Sequence, residues 1–155
     1  MIQIIPFSFN RAMQLDTLLS TLVEHWKNPE YRIDVIYNFS SGKFGEAYKQ
    51  LSNDYEGDNI CLHKENLEHP DKVTLKELSN IYNLVRFWHN PNLRHSKTNF
   101  RSLMIKLMEG SDAENVMFLT DDAMFINDID IPQGVVDWVN DSPSNRQFTL
   151  RLGKG

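Results

Sequence analysis

Two carboxylates stand side by side at Asp121 and Asp122, directly after the run Val116–Leu119 and Thr120, and the chain turns apolar again at Ala123, Met124 and Phe125. A strand this hydrophobic reads as buried on both faces, and an unpaired carboxylate is costly to bury. The pair must therefore be solvated, hydrogen-bonded or neutralised by a cation. Hard divalent ions such as Mg2+ and Mn2+ prefer oxygen ligands, and they often keep waters while bridging one or two carboxylates to a diphosphate. Aspartates also polarise or cap turns, and taken alone the pair favours that plainer role. Its place in the fold decides between the two.

The surrounding pattern supplies that place. IQIIPFSF (2–9) reads as an apolar strand. Asn10 stands where a helix N-cap belongs, and Leu15, Leu18, Leu19, Leu22, Val23 and Trp26 follow at helical spacing. After Asn28-Pro29, RIDVIYNF (32–39) is a second strand and SSGKFG (40–45) a loop. Phe44, Ala47, Tyr48, Leu51 and Tyr55 mark one face of a second helix, and NICLH (59–63) is a third strand. Helices are expected at 75–88 and at 100–108, the latter closed by Gly110. VMFL (116–119) is a fourth strand, 134–140 a short helix, and QFTLRL (147–152) a final strand.

Strands alternating with helices imply βαβ units, a mainly parallel sheet and an α/β fold, here a three-layer αβα sandwich. Ligands of such sheets gather at the carboxyl ends of the strands. Asn10 with Arg11, Asn38 to Ser41, and Asp121 with Asp122 all follow such ends, so three polar clusters are expected to converge on one edge. With that position, cation binding overtakes the capping role.

Other chemistries lack their motifs. The chain has no GxxxxGK[ST], no GxGxxG opening a helix and no GxSxG. Its histidines, at 25, 63, 69, 89 and 95, form no HExxH, and the single cysteine, Cys61, has no CxxC partner, so a zinc site is not expected. Cys61 sits in a strand and reads as a small core residue, His25 as a solvated residue on the polar side of the first helix. A receiver domain would place its acidic pair after the first strand, which ends here in Ser8, Phe9 and Asn10.

Composition sets the outer bounds. The 155 residues suit one domain, and 41% hydrophobic with 24% charged residues is ordinary for a globular chain. A net charge of −5 with no Lys/Arg block disfavours nucleic acid and anionic membranes as partners. No apolar run reaches membrane-spanning length, and MIQIIPFSF lacks the features of a signal peptide, so a cytoplasmic location is expected.

IIPFSFNRAMQLDTLLSTL (4–22) resembles the opening of family-2 glycosyltransferases of the GT-A fold, where a strand ends near an Asn-Arg pair and a Leu-rich helix follows. VMFLTDDAMFI (116–126) resembles their fourth strand, which ends in the acidic DxD-type motif. The resemblance implies a nucleotide-diphospho-sugar donor, Mn2+ or Mg2+ on its diphosphate, and glycosyl transfer to an acceptor hydroxyl. On that match Asp122 is the metal-binding carboxylate and Asp121 lies beside the ribose or the metal. The first strand end, from Pro6 through Ser8 and Asn10 to Arg11, lines the nucleoside. Arg11 itself reads equally as a positive charge near the phosphates or as a surface arginine in the first turn of the helix.

This chain departs from the pattern in two places. Asn38 stands where the family usually has an Asp that contacts the base, which removes a charge but keeps an acceptor. Thr120 makes the acidic motif a TDD variant. Family members also continue beyond the donor half to build the acceptor site and the catalytic base. This chain stops at RQFTLRLGKG (146–155), so a further acceptor-binding region or a partner subunit is expected, and the catalytic residue is unknown. Asp128, Asp130 and Asp137 read as surface acids rather than as the base. The contrasting expectation is a non-catalytic α/β module with a degenerate glycosyltransferase fold, binding a nucleotide or a protein partner.

Overall fold

In the computed structural model, residues 1–55, 59–66 and 98–141 are described. Strand β1 (Ile2–Phe9) leads into helix α1 (Ala12–His25), the short strand β2 (Trp26–Asn28) and strand β3 (Tyr31–Asn38). Helix α2 (Gly42–Asp54), strand β4 (Ile60–Lys64), helix α3 (Phe100–Glu109) and strand β5 (Asn115–Thr120) follow, then β6 (Ile129–Asp130) and α4 (Gln133–Asn140). The main sheet has the order β4-β3-β1-β5 with every pair parallel, and β2 pairs with β6 in a small parallel ladder of its own.

Side chains alternate across the sheet. One face carries Ile2 and Ile4 of β1, Ile33 and Val35 of β3, and Ile60 of β4. These pack with Leu15, Leu18, Leu19 and Leu22 of α1 and Tyr48 and Leu51 of α2. The four α1 leucines are wholly buried, and each such burial contributes about 2 kcal/mol. On the opposite face, Gln3 donates to the Leu107 carbonyl of α3 at 3.1 Å, and Phe7 meets Phe100 edge-on at 5.2 Å. Helices thus cover both faces of a parallel sheet, an α/β arrangement in three layers. No helix among the described residues is long and apolar enough to cross a membrane.

Pro6 leaves a local mark on the central strand. The β1–β3 register runs from Ile2↔Tyr31 to Ile4↔Ile33 and resumes at Phe7↔Ile36, whereas on the other side Pro6 pairs with Leu119. A proline has no N–H to donate, so a break in one ladder is expected beside it.

The structure corrects several expectations. β5 is not buried on both faces: Val116 and Phe118 are 36% and 50% exposed, because β5 is an edge strand of the described sheet. Cys61 is exposed rather than in the core, since β4 is an edge strand among the described residues and Cys61 lies on the face away from α1 and α2. Asn10 does not cap α1. Arg11 holds the cap position, with no side-chain capping bond, and Asn10 takes a left-handed φ of 58°. The SSGKFG loop shrinks to Ser40 and Ser41 because α2 starts at Gly42. Phe44 and Ala47 face solvent, so the buried stripe of α2 is Tyr48 and Leu51. β2 and β6 were not foreseen, since strands of three and two residues leave no periodic signal. The helix expected at 75–88 and the strand expected at 147–152 lie outside the described residues.

Candidate functional site

From β1 the sheet grows outward in two directions, to β3 by way of α1 and, later in the chain, to β5. The seam between β1 and β5 is therefore a topological switch point, where the strand order reverses; the segment leaving β1 enters α1, and the one leaving β5 passes along α1 to reach Thr21 and His25. Ser8 and Phe9 end β1 at that seam, Asn10 and Arg11 leave it, and Asp121 and Asp122 leave β5. The β1–β5 register pairs Phe7 with Thr120, and the Asp121 N–H extends the ladder by donating to the Phe7 carbonyl at 3.2 Å.

A chain of hydrogen bonds crosses the seam. Ser8 Oγ donates to Asp121 Oδ2 at 2.9 Å. That hydroxyl proton being committed, the Tyr48 phenol 2.6 Å away must donate to Ser8 Oγ. The phenol oxygen in turn accepts the Arg11 backbone N–H at 3.0 Å. Burial pushes the Tyr48 phenol pKa up, so the group stays protonated as this order requires. Ser8, Tyr48 and Asp121 are all buried. Arg11 Nη1 approaches Asp121 Oδ1 at 3.4 Å from a side chain that is 54% exposed, a pairing that solvent weakens. Asp121 is thus hydrogen-bonded and partly neutralised within the protein.

Asp122 differs in exposure. It is exposed, and Thr120 Oγ1 donates to its Oδ1 at 2.5 Å. The substitution that makes the motif TDD therefore supplies a hydroxyl that orients the second acid. On the other flank, Asn10 and Ser40 clamp the loops after β1 and β3: Asn10 Nδ2 donates to Ser40 Oγ at 2.9 Å, and the Ser40 N–H donates to Asn10 Oδ1 at 2.8 Å. Asn38 is buried at the end of β3, where its Oδ1 accepts the Phe39 N–H at 2.8 Å.

These residues surround an open depression of about 610 Å3 lined by Ser8, Phe9, Asn10, Arg11, Asp121 and Asp122, with Glu65 facing them from just beyond β4. Of the residues singled out from sequence, Ser8, Asn10, Arg11, Asp121 and Asp122 come together here. Pro6 and Asn38 are not among the lining residues. Tyr48 and Glu65 were missed, and Thr120 was read only as a departure from the acidic motif. Tyr48 looked like an ordinary apolar position on a helix stripe, and Glu65 carries no motif. The carboxylates of Asp121, Asp122 and Glu65 and the guanidinium of Arg11 line the depression, and carboxylate oxygens are the donor type that hard divalent ions take.

Asp128, Asp130 and Asp137 are exposed and lie outside this lining. Asp128 is engaged elsewhere. His25 Nδ1 is 3.1 Å and Lys27 Nζ 3.5 Å from its Oδ1, and the hydrogen bond with His25 is the leading cause that holds its pKa below the usual carboxylate range. His25 is accordingly half-buried and partnered rather than simply solvated.

Comparison with family models and with curated proteins finds no match to this chain.

Proposed function

We propose that this chain is the donor-binding portion of a metal-dependent glycosyltransferase of the GT-A type, holding a nucleotide-diphospho-sugar for transfer of its sugar to an acceptor hydroxyl. The observation that supports this reading is the meeting of the β1 end with Asp121 and Asp122 at the switch point of a parallel sheet. A depression of about 610 Å3 is of the size that small-molecule ligands occupy.

Within this reading the two acids divide the work. Exposed Asp122 offers its carboxylate to Mn2+ or Mg2+. Buried Asp121, fixed by Ser8 and Arg11, sets the position of the loop and presents the edge of its charge. The chemistry that the cation supplies when bound is neutralisation of the charge developing on the departing diphosphate. Arg11 adds a mobile positive charge beside the same phosphates. The ring of Phe9, 57% exposed, offers a flat apolar surface to the nucleobase.

The test is calorimetric titration of UDP and GDP, with Mn2+ and with EDTA, into wild type and Asp122→Ala. Binding that requires both the metal and Asp122 is the expected result. A folded protein that binds neither nucleotide under any condition overturns the reading and leaves an α/β module that engages some other partner.

A further inference from the structure

On the sheet face away from α1 and α2, Asp34 of β3 is wholly buried and gripped from several sides. Gln3 Nε2 donates to its Oδ2 and Arg32 Nη2 to its Oδ1, both at 2.8 Å, while Arg32 Nε stands 2.8 Å from Oδ2. A ring nitrogen of His63, Nε2, lies 2.9 Å from Oδ1. The β3–β4 register places Cys61 opposite Asp34, and the two-residue period of β4 brings His63 to the same face as Cys61. One ligand atom from each of Asp34, Cys61 and His63 lies within 4.8 Å of the other two.

We propose that Asp34, Cys61 and His63 form a binding site for a borderline divalent transition-metal ion of the Zn2+ class, joining edge strand β4 to β3. A thiolate, an imidazole and a carboxylate make a mixed donor set that suits Zn2+ or Co2+ and is unlike the oxygen-only set at Asp121 and Asp122. Bonds of about 2.0–2.3 Å to a tetrahedral ion separate ligand atoms by roughly 3–4 Å, so the Asp34–His63 pair, now at 2.9 Å, need only part slightly, and separations of up to 4.8 Å need only close by a similar amount. The ion takes the place of the Asp34–His63 hydrogen bond. The Cys61 thiol gives its proton to solvent, and the imidazole binds as the neutral tautomer that keeps its proton on the other nitrogen.

The surroundings are those of a held ligand. Arg32 and Gln3 orient the carboxylate from outside, the part that outer partners play at metal sites. Gln3 Oε1, on the amide whose nitrogen grips Asp34, is buried with no hydrogen-bond partner among the described residues. Exposed Cys61 opens the cluster to solvent and gives an ion its way in.

The full-length chain, freed of metal, is titrated with Co2+ and then with Zn2+ in competition, as wild type, Cys61→Ser and Asp122→Ala. The expected result is a thiolate-to-cobalt charge-transfer band that saturates at one equivalent and is displaced by Zn2+. In Cys61→Ser, whose exposed position leaves the core intact, the band disappears and Zn2+ binds at least about tenfold more weakly, equivalent to about 1.4 kcal/mol. In Asp122→Ala both persist. No thiolate band in the wild type, a band lost in Asp122→Ala, or a smaller change of Zn2+ affinity in Cys61→Ser each overturns the proposal. This inference does not depend on the glycosyltransferase reading, which the nucleotide titration tests separately.

Discussion

Ser8 Oγ, on the last turn of the pleat in β1, lies 2.9 Å from Oδ2 of Asp121, the first residue beyond β5. A hydroxyl on one strand thereby fixes the direction of the acid on its neighbour. Ser8→Ala leaves a buried carboxylate and the Tyr48 phenol each short of a partner, and it should lower stability by about 1–3 kcal/mol in urea denaturation. Tyr48→Phe should cost about 1 kcal/mol. The double variant should cost less than the two added together, because both interrupt one chain of hydrogen bonds. Strict additivity would show that the chain does not act as a unit.

Asn10 combines a left-handed backbone with a two-bond clamp on Ser40. Asn10→Ala loses both features and should destabilise the fold by about 2 kcal/mol. Asn10→Gly loses the clamp but fits the φ angle, so its cost should be smaller by about 1 kcal/mol. Equal midpoints for the two variants would mean that the backbone angle carries no cost.

Acid should probe Asp34. Burial raises its pKa, but the hydrogen bonds with His63, Arg32 and Gln3 outweigh burial and hold it at about 2, below the ordinary 3.8. A depressed folded value means stability that is complete above the ordinary value and is lost as pH falls through the folded one. The shift corresponds to on the order of 2 kcal/mol. Wild type should therefore lose stability between about pH 4 and pH 2, in the absence of added metal. Asp34→Asn should start less stable and show a flatter profile there.

The two neighbouring acids should respond differently to removal. Asp122→Ala, at an exposed site, should change stability by less than about 0.5 kcal/mol while abolishing metal-dependent nucleotide binding. Asp121→Ala strips the partners from Ser8 and Arg11 and should lower stability by about 1–3 kcal/mol as well. Thermal melts beside the nucleotide titration separate the two outcomes.

The parallel sheet was legible because its signals are local. Apolar runs of strand length alternate with stripes such as Leu15, Leu18, Leu19 and Leu22, which all reach the core. The meeting of Asn10, Arg11, Asp121 and Asp122 at one edge was legible for the same reason, since strand ends follow from strand positions. What could not be read depends on pairing between distant segments. That Cys61 faces Asp34 is a property of the β3–β4 register, which no motif spells out. Tyr48 reads as an apolar position until its hydroxyl is seen against Ser8, and the half-exposure of β5 goes with its being an edge of the described sheet. Asn10 carries the residue type of a helix cap and yet uses its side chain on the neighbouring loop.

The segment that follows Asp121 and Asp122 is tied down along its length. The Ala123 N–H donates to the Thr120 carbonyl, and the Phe125 N–H to Thr21 Oγ1 of α1. Asp128 meets His25 and Lys27, and β6 closes on β2, with the Ile131 N–H reaching the Asn28 carbonyl. Chain entropy along this stretch is thus surrendered when the protein folds and not when a ligand arrives. A cation bound as proposed would meet a backbone already in place at Asp121 and Asp122, and its association should be limited by encounter and desolvation, with no slow ordering phase.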